Sequence, residues 1–217
     1  MRRTQVRKVS SLIFLLLAVC LLCSCAHQAG STEPSSTGMT KDWNNLIDEA
    51  EVVHPFNLND YSQVVVANLD TSATPLPPSS ENTYQPVNIV LKSSSEIFAE
   101  AVREQFKEAG SKIPVVGPDS SVKPAPGSLL VKGKVTRMDP GSQALRYWVG
   151  FGAGKSTVEV AGEVIDLATN QPLLRFKHAK ASGIGGFGGD YQKFLTDDTH
   201  DVGEDVAKML LHFGERH

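Results

Sequence analysis

Leu145-Arg-Tyr-Trp-Val-Gly-Phe-Gly-Ala-Gly-Lys-Ser-Thr-Val-Glu-Val-Ala-Gly-Glu-Val-Ile-Asp166 is a glycine-rich, aromatic turn running into a long alternating strand. Gly150-Phe151-Gly152-Ala153-Gly154-Lys155-Ser156 has the look of a phosphate loop. That motif needs Gly, four residues, then Gly-Lys-Ser/Thr, with a strand before it and a helix after it. Counting back from Gly154, the first glycine should be residue 149, which is Val149. Thr157 to Ile165 then alternates apolar and polar side chains and is rich in β-branched residues, the pattern of a strand. With no helix N-terminus behind the loop, a phosphate would lack both its dipole and its row of free N–H groups. The reading is therefore no nucleotide, with glycines that allow a sharp turn and close strand approach.

Outward from this stretch, the chain reads as one α+β domain. Tyr61–Leu69 is a first strand, and its continuous apolar run implies burial on both faces. Asp70–Val87, with Pro75, Pro77, Pro78 and Pro86, reads as a long loop that is either disordered or binds a partner. Lys92–Ala109 is a helix with a Ser93/Glu96 capping box, an apolar stripe through Phe98, Val102 and Phe106, and Gly110 as its stop. Lys112–Val116 completes a parallel, right-handed β–α–β unit. Leu129–Met138, Lys155–Ile165 and Pro172–Ser182 are three more strands, and Thr199–Phe213 is a second helix. The expected architecture is a two-layer sandwich: a mixed sheet of about five strands with two helices on one face, in the order β-α-β-β-β-α. No internal repeat is evident.

The N-terminus points to a compartment. Arg2, Arg3, Arg7 and Lys8 precede an apolar run from Val9 to Leu22, too short for a comfortable transmembrane helix and suited to a signal sequence. All three cysteines, Cys20, Cys23 and Cys25, lie here, so the domain beyond has no disulfide or thiolate metal site to draw on. Leu22-Cys23-Ser24-Cys25 resembles the lipobox of bacterial lipoproteins, which implies cleavage before Cys25 and its lipidation; a conventionally cleaved secreted protein is the alternative. The expected organisation is a signal peptide at 1–24, a flexible tether at 25–41 and one domain at 42–217. The tether's Ser, Thr, Gly and Pro cannot bury enough surface to order it, and about fifteen such residues span roughly 20 Å. Trp43 to Ile47 reads as a short docking segment.

Removing residues 1–24 takes away four basic and no acidic side chains, leaving 17 Lys and Arg against 24 Asp and Glu, a net charge of −7. An acidic surface without a basic stripe argues against a nucleic-acid partner and leaves membrane attachment to the lipid. Ala26, rather than Asp, after the lipidated cysteine suggests the outer membrane, facing the periplasm.

The last two strands form a hairpin closed at Leu167–Gln171, so the start of one lies beside the end of the other. That places Tyr147–Gly152 next to Gly183–Gly189, two glycine–aromatic segments at one end of the sheet. Trp148, Phe151, Ile184 and Phe187 would present an apolar patch rimmed by Arg146 and Lys155. Exposed clusters of this kind mark protein or membrane contacts, with aromatics and Arg as anchors; the alternative is that they fold back as lids on the core. His178, alone on its strand, reads as a packed or rim histidine. Asp197, Asp198, His200, Asp201, Glu204 and Asp205 have the chemistry of a hard-cation site, and equally that of a helix opening, where acidic groups complement the dipole and supply the cap; no metal or cofactor is assigned. Neither a Gly-x-Ser-x-Gly elbow nor a His-Glu-x-x-His helix occurs, and no catalytic constellation is found.

Several of these residues carry a family resemblance: Leu129, Val131, Gly133, Lys134, Val135 and Thr136; Asp139, Gly141 and Ser142; Leu145-Arg146-Tyr147 with Val149 to Lys155; Val158-Glu159-Val160; the turn Asp166 to Thr169; and Phe187-Gly188-Gly189-Asp190. Together they resemble the domain-of-unknown-function 4410 family of bacterial lipoproteins, over roughly residues 60–213 and most strongly over 129–190. Asn170 stands where such turns often carry Gly, and Asn also tolerates positive φ. The resemblance implies a lipoprotein setting and brings no established reaction or catalytic residue. The order of elements is similar to that of small envelope domains that attach to transport or assembly machines, an analogy of fold alone. The expected role is a non-enzymatic binding or accessory one, through contact with an envelope protein at the paired loops. An envelope enzyme or small-ligand binder using the same sheet end is the alternative, and a passive structural lipoprotein the third.

Overall fold

The computed structural model describes residues 38–118, 125–141, 154–182 and 190–215. The chain divides into two units, Met1–Ser35 and Ser36–His217, and all the described residues belong to the second. In chain order they form β1 (Thr40–Trp43), β2 (Ile47–Val52), a 3-10 turn at Leu58–Asp60, β3 (Gln63–Val66), α1 (Tyr84–Glu108), β4 (Val115–Val116), β5 (Ser128–Asp139), β6 (Thr157–Asp166), β7 (Gln171–Lys180) and α2 (Tyr191–His212). The strands make one mixed sheet in the order β1-β2-β7-β6-β5-β3-β4. β3 runs parallel to β4 and β5, and every other neighbouring pair is antiparallel.

The α+β class and the two helices match the sequence reading; the strand number does not. The sheet has seven strands rather than about five. The two additions are β1 and β2, and β1 takes Thr40 and Lys41 from the stretch read as tether. Their sequences are short and acidic, and of them only Ile47 and Ala50 are buried apolar side chains, so no alternation stands out. Asn44 and Asn45 turn the hairpin at φ 50° and 57°, a region that Asn enters more readily than other side chains. Phe213, just past α2, stacks on Trp43 at 5.5 Å and on Phe56 at 4.5 Å, which fastens the hairpin to the end of the helix.

Both helices begin eight residues earlier than the sequence reading set them, α1 at Tyr84 and α2 at Tyr191. Pro86 is the third residue of α1, where its missing N–H would have had no partner anyway. The proposed capping box at Ser93 is not a cap: Ser93 is inside the helix and its Oγ donates back to the carbonyl of Ile89 at 3.1 Å. The stretch read as a loop to Val87 is therefore partly helix. Gly110, at φ 69°, ends α1 as expected.

One face of the sheet packs on the helices, around Phe98, Phe106, Leu129, Leu174, Phe176, Met209 and Leu210. Gly162 makes room for Phe176: a Cβ there would stand 2.5 Å from its ring. On the other face the alternate residues are charged. Lys132, Glu163, Arg175 and Glu51 form a row across β5, β6, β7 and β2, with ion-pair distances of 3.2, 3.4 and 3.0 Å. Asn170 turns the β6–β7 hairpin at φ 56°.

Candidate functional site

β6 begins where β7 ends. Val158 pairs with Lys180, and the ladder is extended by Ser156, whose N–H donates to the carbonyl of Ser182 at 3.0 Å. Ser156 Oγ lies 2.9 Å from the same carbonyl. β5 ends at the same place: Asp139 pairs with Thr157, and Gly141, at φ 73°, lies so close to Gly154 and Lys155 that a Cβ would overlap their carbonyl oxygens. The flanks of residues 142–153 and of residues 183–189 therefore meet at one sheet end, the juxtaposition expected from the hairpin. Of the proposed patch, Lys155 is described and is exposed. Arg146, Trp148, Phe151, Ile184 and Phe187 lie outside the described residues, as does the lipidation candidate Cys25.

α2 is capped by one aspartate and fastened to the sheet by two more, Asp198 and Asp205. The N-cap Asp190 starts the helix, accepting from the N–H groups of Gln192 at 2.9 Å and Lys193 at 3.2 Å. About 12 Å along the axis comes Asp198, which is fully buried and accepts from Ser156 Oγ at 2.7 Å. Its other oxygen, Oδ1, is buried without a hydrogen-bond partner among the described residues. Two turns further, Asp205 meets β7: His178 Nε2 is 3.0 Å and Lys180 Nζ 2.5 Å from Asp205 Oδ2. His178 Nδ1 accepts from the backbone N–H of Asp48 on β2 at 3.3 Å, so its ring proton is on Nε2, donating to Asp205. Burial pushes the Asp205 carboxyl up, but the hydrogen bonds from His178 and Lys180, with the charge of Lys180, outweigh it and hold the group at about 2.

These residues correct the reading of the acidic stretch as a helix opening. Asp197 to Asp205 lie well inside α2, and Asp198 and Asp205 share its buried stripe with Val202, Val206 and Met209. His178 is packed and buried, with both ring nitrogens engaged, as the sequence reading of a packed histidine expects. His200, Asp201 and Glu204 bring their ligand atoms within 4.8 Å of one another. Burial raises the Asp201 carboxyl, Lys180 opposes that shift and Glu204 adds to it. His200 Nε2 stands 3.0 Å from Glu104 of α1, and Glu204 pairs with Lys208 at 2.6 Å. Acidic groups on a helix surface with one histidine are common dressing, and this set does not by itself make a metal site. No helix among the described residues is long and apolar enough to cross a membrane.

A family model described as domain of unknown function (DUF4410) matches residues 64–186. No curated protein matches the sequence. Among solved structures, the chain is similar to the PelC dodecamer protein from Paraburkholderia phytofirmans, with 14% identity, a TM-score of 0.40, and 72% of this chain and 96% of that one covered. It is also similar to protein XCC0632 from Xanthomonas campestris, of family DUF330, at 13% identity and a TM-score of 0.41, covering 75% and 92%. A third likeness is the hypothetical protein CT253 from Chlamydia trachomatis, at 9% identity and a TM-score of 0.39, covering 70% and 99%. None of the three carries a functional conclusion to this chain.

Proposed function

The chain belongs to the DUF4410 family, and from that premise we propose that it is a lipid-anchored protein of the bacterial envelope with a non-enzymatic accessory role, contacting an envelope protein through its two glycine–aromatic segments. The observation that supports this reading is the meeting of three chain flanks at one sheet end: Gly141, the stretch Gly154 to Ser156, and Ser182 are held together by backbone contacts and a backbone hydrogen bond. The sequences between these flanks, 142–153 and 183–189, are rich in glycine and aromatic residues. Trp148, Phe151, Ile184 and Phe187 are side chains of the kind that anchor interfaces, and Arg146 and Lys155 are suited to its rim. The anchor is Cys25, in a lipobox-like Leu-Cys-Ser-Cys. More than one acyl chain at that cysteine would make attachment stable.

The test is crosslinking and pull-down from intact envelopes, comparing the native chain with a Phe151→Ser, Phe187→Ser double variant of unchanged thermal stability. Capture of a defined partner that the variant loses is the expected result. Identical capture by both proteins removes the loops as the interface, and capture by neither turns the question to a ligand or enzyme screen. Metabolic labelling with a radioactive fatty acid should mark the native chain and not a Cys25→Ala variant.

A further inference from the structure

A buried carboxylate with one hydrogen bond is an expensive way to hold a helix on a sheet. Asp198 and Ser156 are both fully buried, and Asp198 Oδ1 has no partner among the described residues. An unsatisfied buried polar atom costs stability, and a well-packed apolar pair of similar volume would often hold the helix as well or better. What a polar pair adds is direction. Apolar side chains tolerate a helix sliding or rotating by a fraction of a turn, whereas Ser156 Oγ and Asp198 Oδ2 meet at 2.7 Å in one placement only. Ser156 also donates its backbone N–H to the Ser182 carbonyl at 3.0 Å, while its single hydroxyl proton goes to Asp198. Asp198, Ser156 and Ser182 therefore tie α2, the start of β6 and the second residue past β7 to one another.

We infer that Asp198 is a positioning residue: through Ser156 it sets the placement of Ser156 and Ser182, the described residues that flank positions 142–153 and 183–189, and it is there for that placement rather than for stability. The inference rests on the proposed interface for its biological purpose and on described residues for its geometry. Asp205 is the internal control, since it fastens the same helix to β7 and β2 through groups that do not touch Ser156.

Native-state amide exchange on the full chain tests it. In Asp198→Ala, protection of the Ser156 amide should fall about tenfold, the order of one lost hydrogen bond, while the Ala179 amide, bonded to Asp48 Oδ2 at 2.8 Å, keeps its protection. Asp198→Asn, whose amide can still pair with Ser156, should restore the Ser156 amide. If Asp198→Ala does not fold, the double variant Ser156→Ala, Asp198→Leu decides: it should unfold no more easily than the native chain yet show the same loss of protection at position 156. Unchanged protection at position 156 in the variant that folds overturns the inference, as does an equal loss at Ala179, which would mean general loosening. Partner capture is read separately on the double variant. If protection falls and capture falls with it, both readings stand; if protection falls and capture does not change, the positioning role stands and the interface reading fails.

Discussion

Asp198 and Asp205 sit two turns apart on one stripe of α2, and each bonds a side chain of the sheet. Their surroundings differ in kind. Asp205 sits among His178, Lys180 and Lys208, with Asp48 on the far side of the histidine ring, and Lys180 and Lys208 are about one-third exposed. Among the described residues, Asp198 has one serine and an idle oxygen, entirely out of water. A charged group with several charged partners gains from each of them, and at Asp205 those gains outweigh the desolvation of the carboxylate. A single dry hydrogen bond gains little net free energy but is strict about geometry. The first kind of fastening supplies stability, and the second supplies register.

Breaking the platform that both anchors need should have the largest effect. Gly203 lies between them, where α2 crosses α1; a Cβ there would stand 2.7 Å from the Phe98 carbonyl oxygen and 2.9 Å from Ala101 Cβ. Neither is the tip of a flexible side chain, so the helices must separate. Gly203→Val should lower the unfolding free energy by about 3 kcal/mol, the upper end for overpacking a core, and chemical denaturation would read it directly. Loss of protection at both anchors together is expected.

Asp205→Ala comes next. It leaves the Lys180 ammonium and the His178 ring without their partner on α2. Breaking a buried pair costs about 3–5 kcal/mol, and the exposed Lys180 side reduces this to about 2 kcal/mol. The same anchor should carry an acid signature. The folded Asp205 carboxyl lies at about 2, below its ordinary 3.8. A depressed carboxylate contributes stability that is fully present above the unfolded value and is lost as pH falls through the folded one. The contribution should therefore shrink between pH 3.8 and about 2, by about 1–2 kcal/mol after allowance for screening. Urea midpoints across that window should fall less steeply in Asp205→Asn than in the native chain. A parallel fall in both proteins would place the acid sensitivity elsewhere.

How far the two anchors could be read from sequence follows from where α2 begins. Strands β5, β6 and β7 announce themselves by alternation, and the hairpin that brings Ser156 to Ser182 follows from Asp166 to Gln171, with Asn170 at positive φ as expected. The juxtaposition of the two loop flanks was legible for that reason. The anchors were not, because the sequence reading started the helix at Thr199, which turned Asp197 to Asp205 into dipole dressing. The true first turns, Tyr191 to Asp197, follow a glycine run and mix polar with apolar side chains, hiding the start. Once Asp190 is taken as the cap, Leu195, Asp198, Val202, Asp205, Val206 and Met209 fall on one stripe. Two acids on an otherwise apolar stripe are the signal that could have found the site. The hairpin of β1 and β2 was hidden differently: its strands hold too few apolar residues for periodicity to show, and packing on β7 and Phe213 defines it.

The smallest expected effect is the one that separates the anchors most sharply. Replacing the dry pair as a unit, Ser156→Ala with Asp198→Leu, removes the idle oxygen together with the hydrogen bond. The leucine extends the buried stripe of α2, on which Leu195 and Val202 are already buried apolar residues. Global stability should then stay within about 1 kcal/mol of the native chain. The equivalent apolar replacement at the other anchor, Asp205→Leu with His178→Leu, should destabilise and flatten the acid limb, since it strands Lys180 against an apolar side chain. Equal responses from the two double variants would mean that both anchors do the same job, and the separation of stability from register on α2 would be lost.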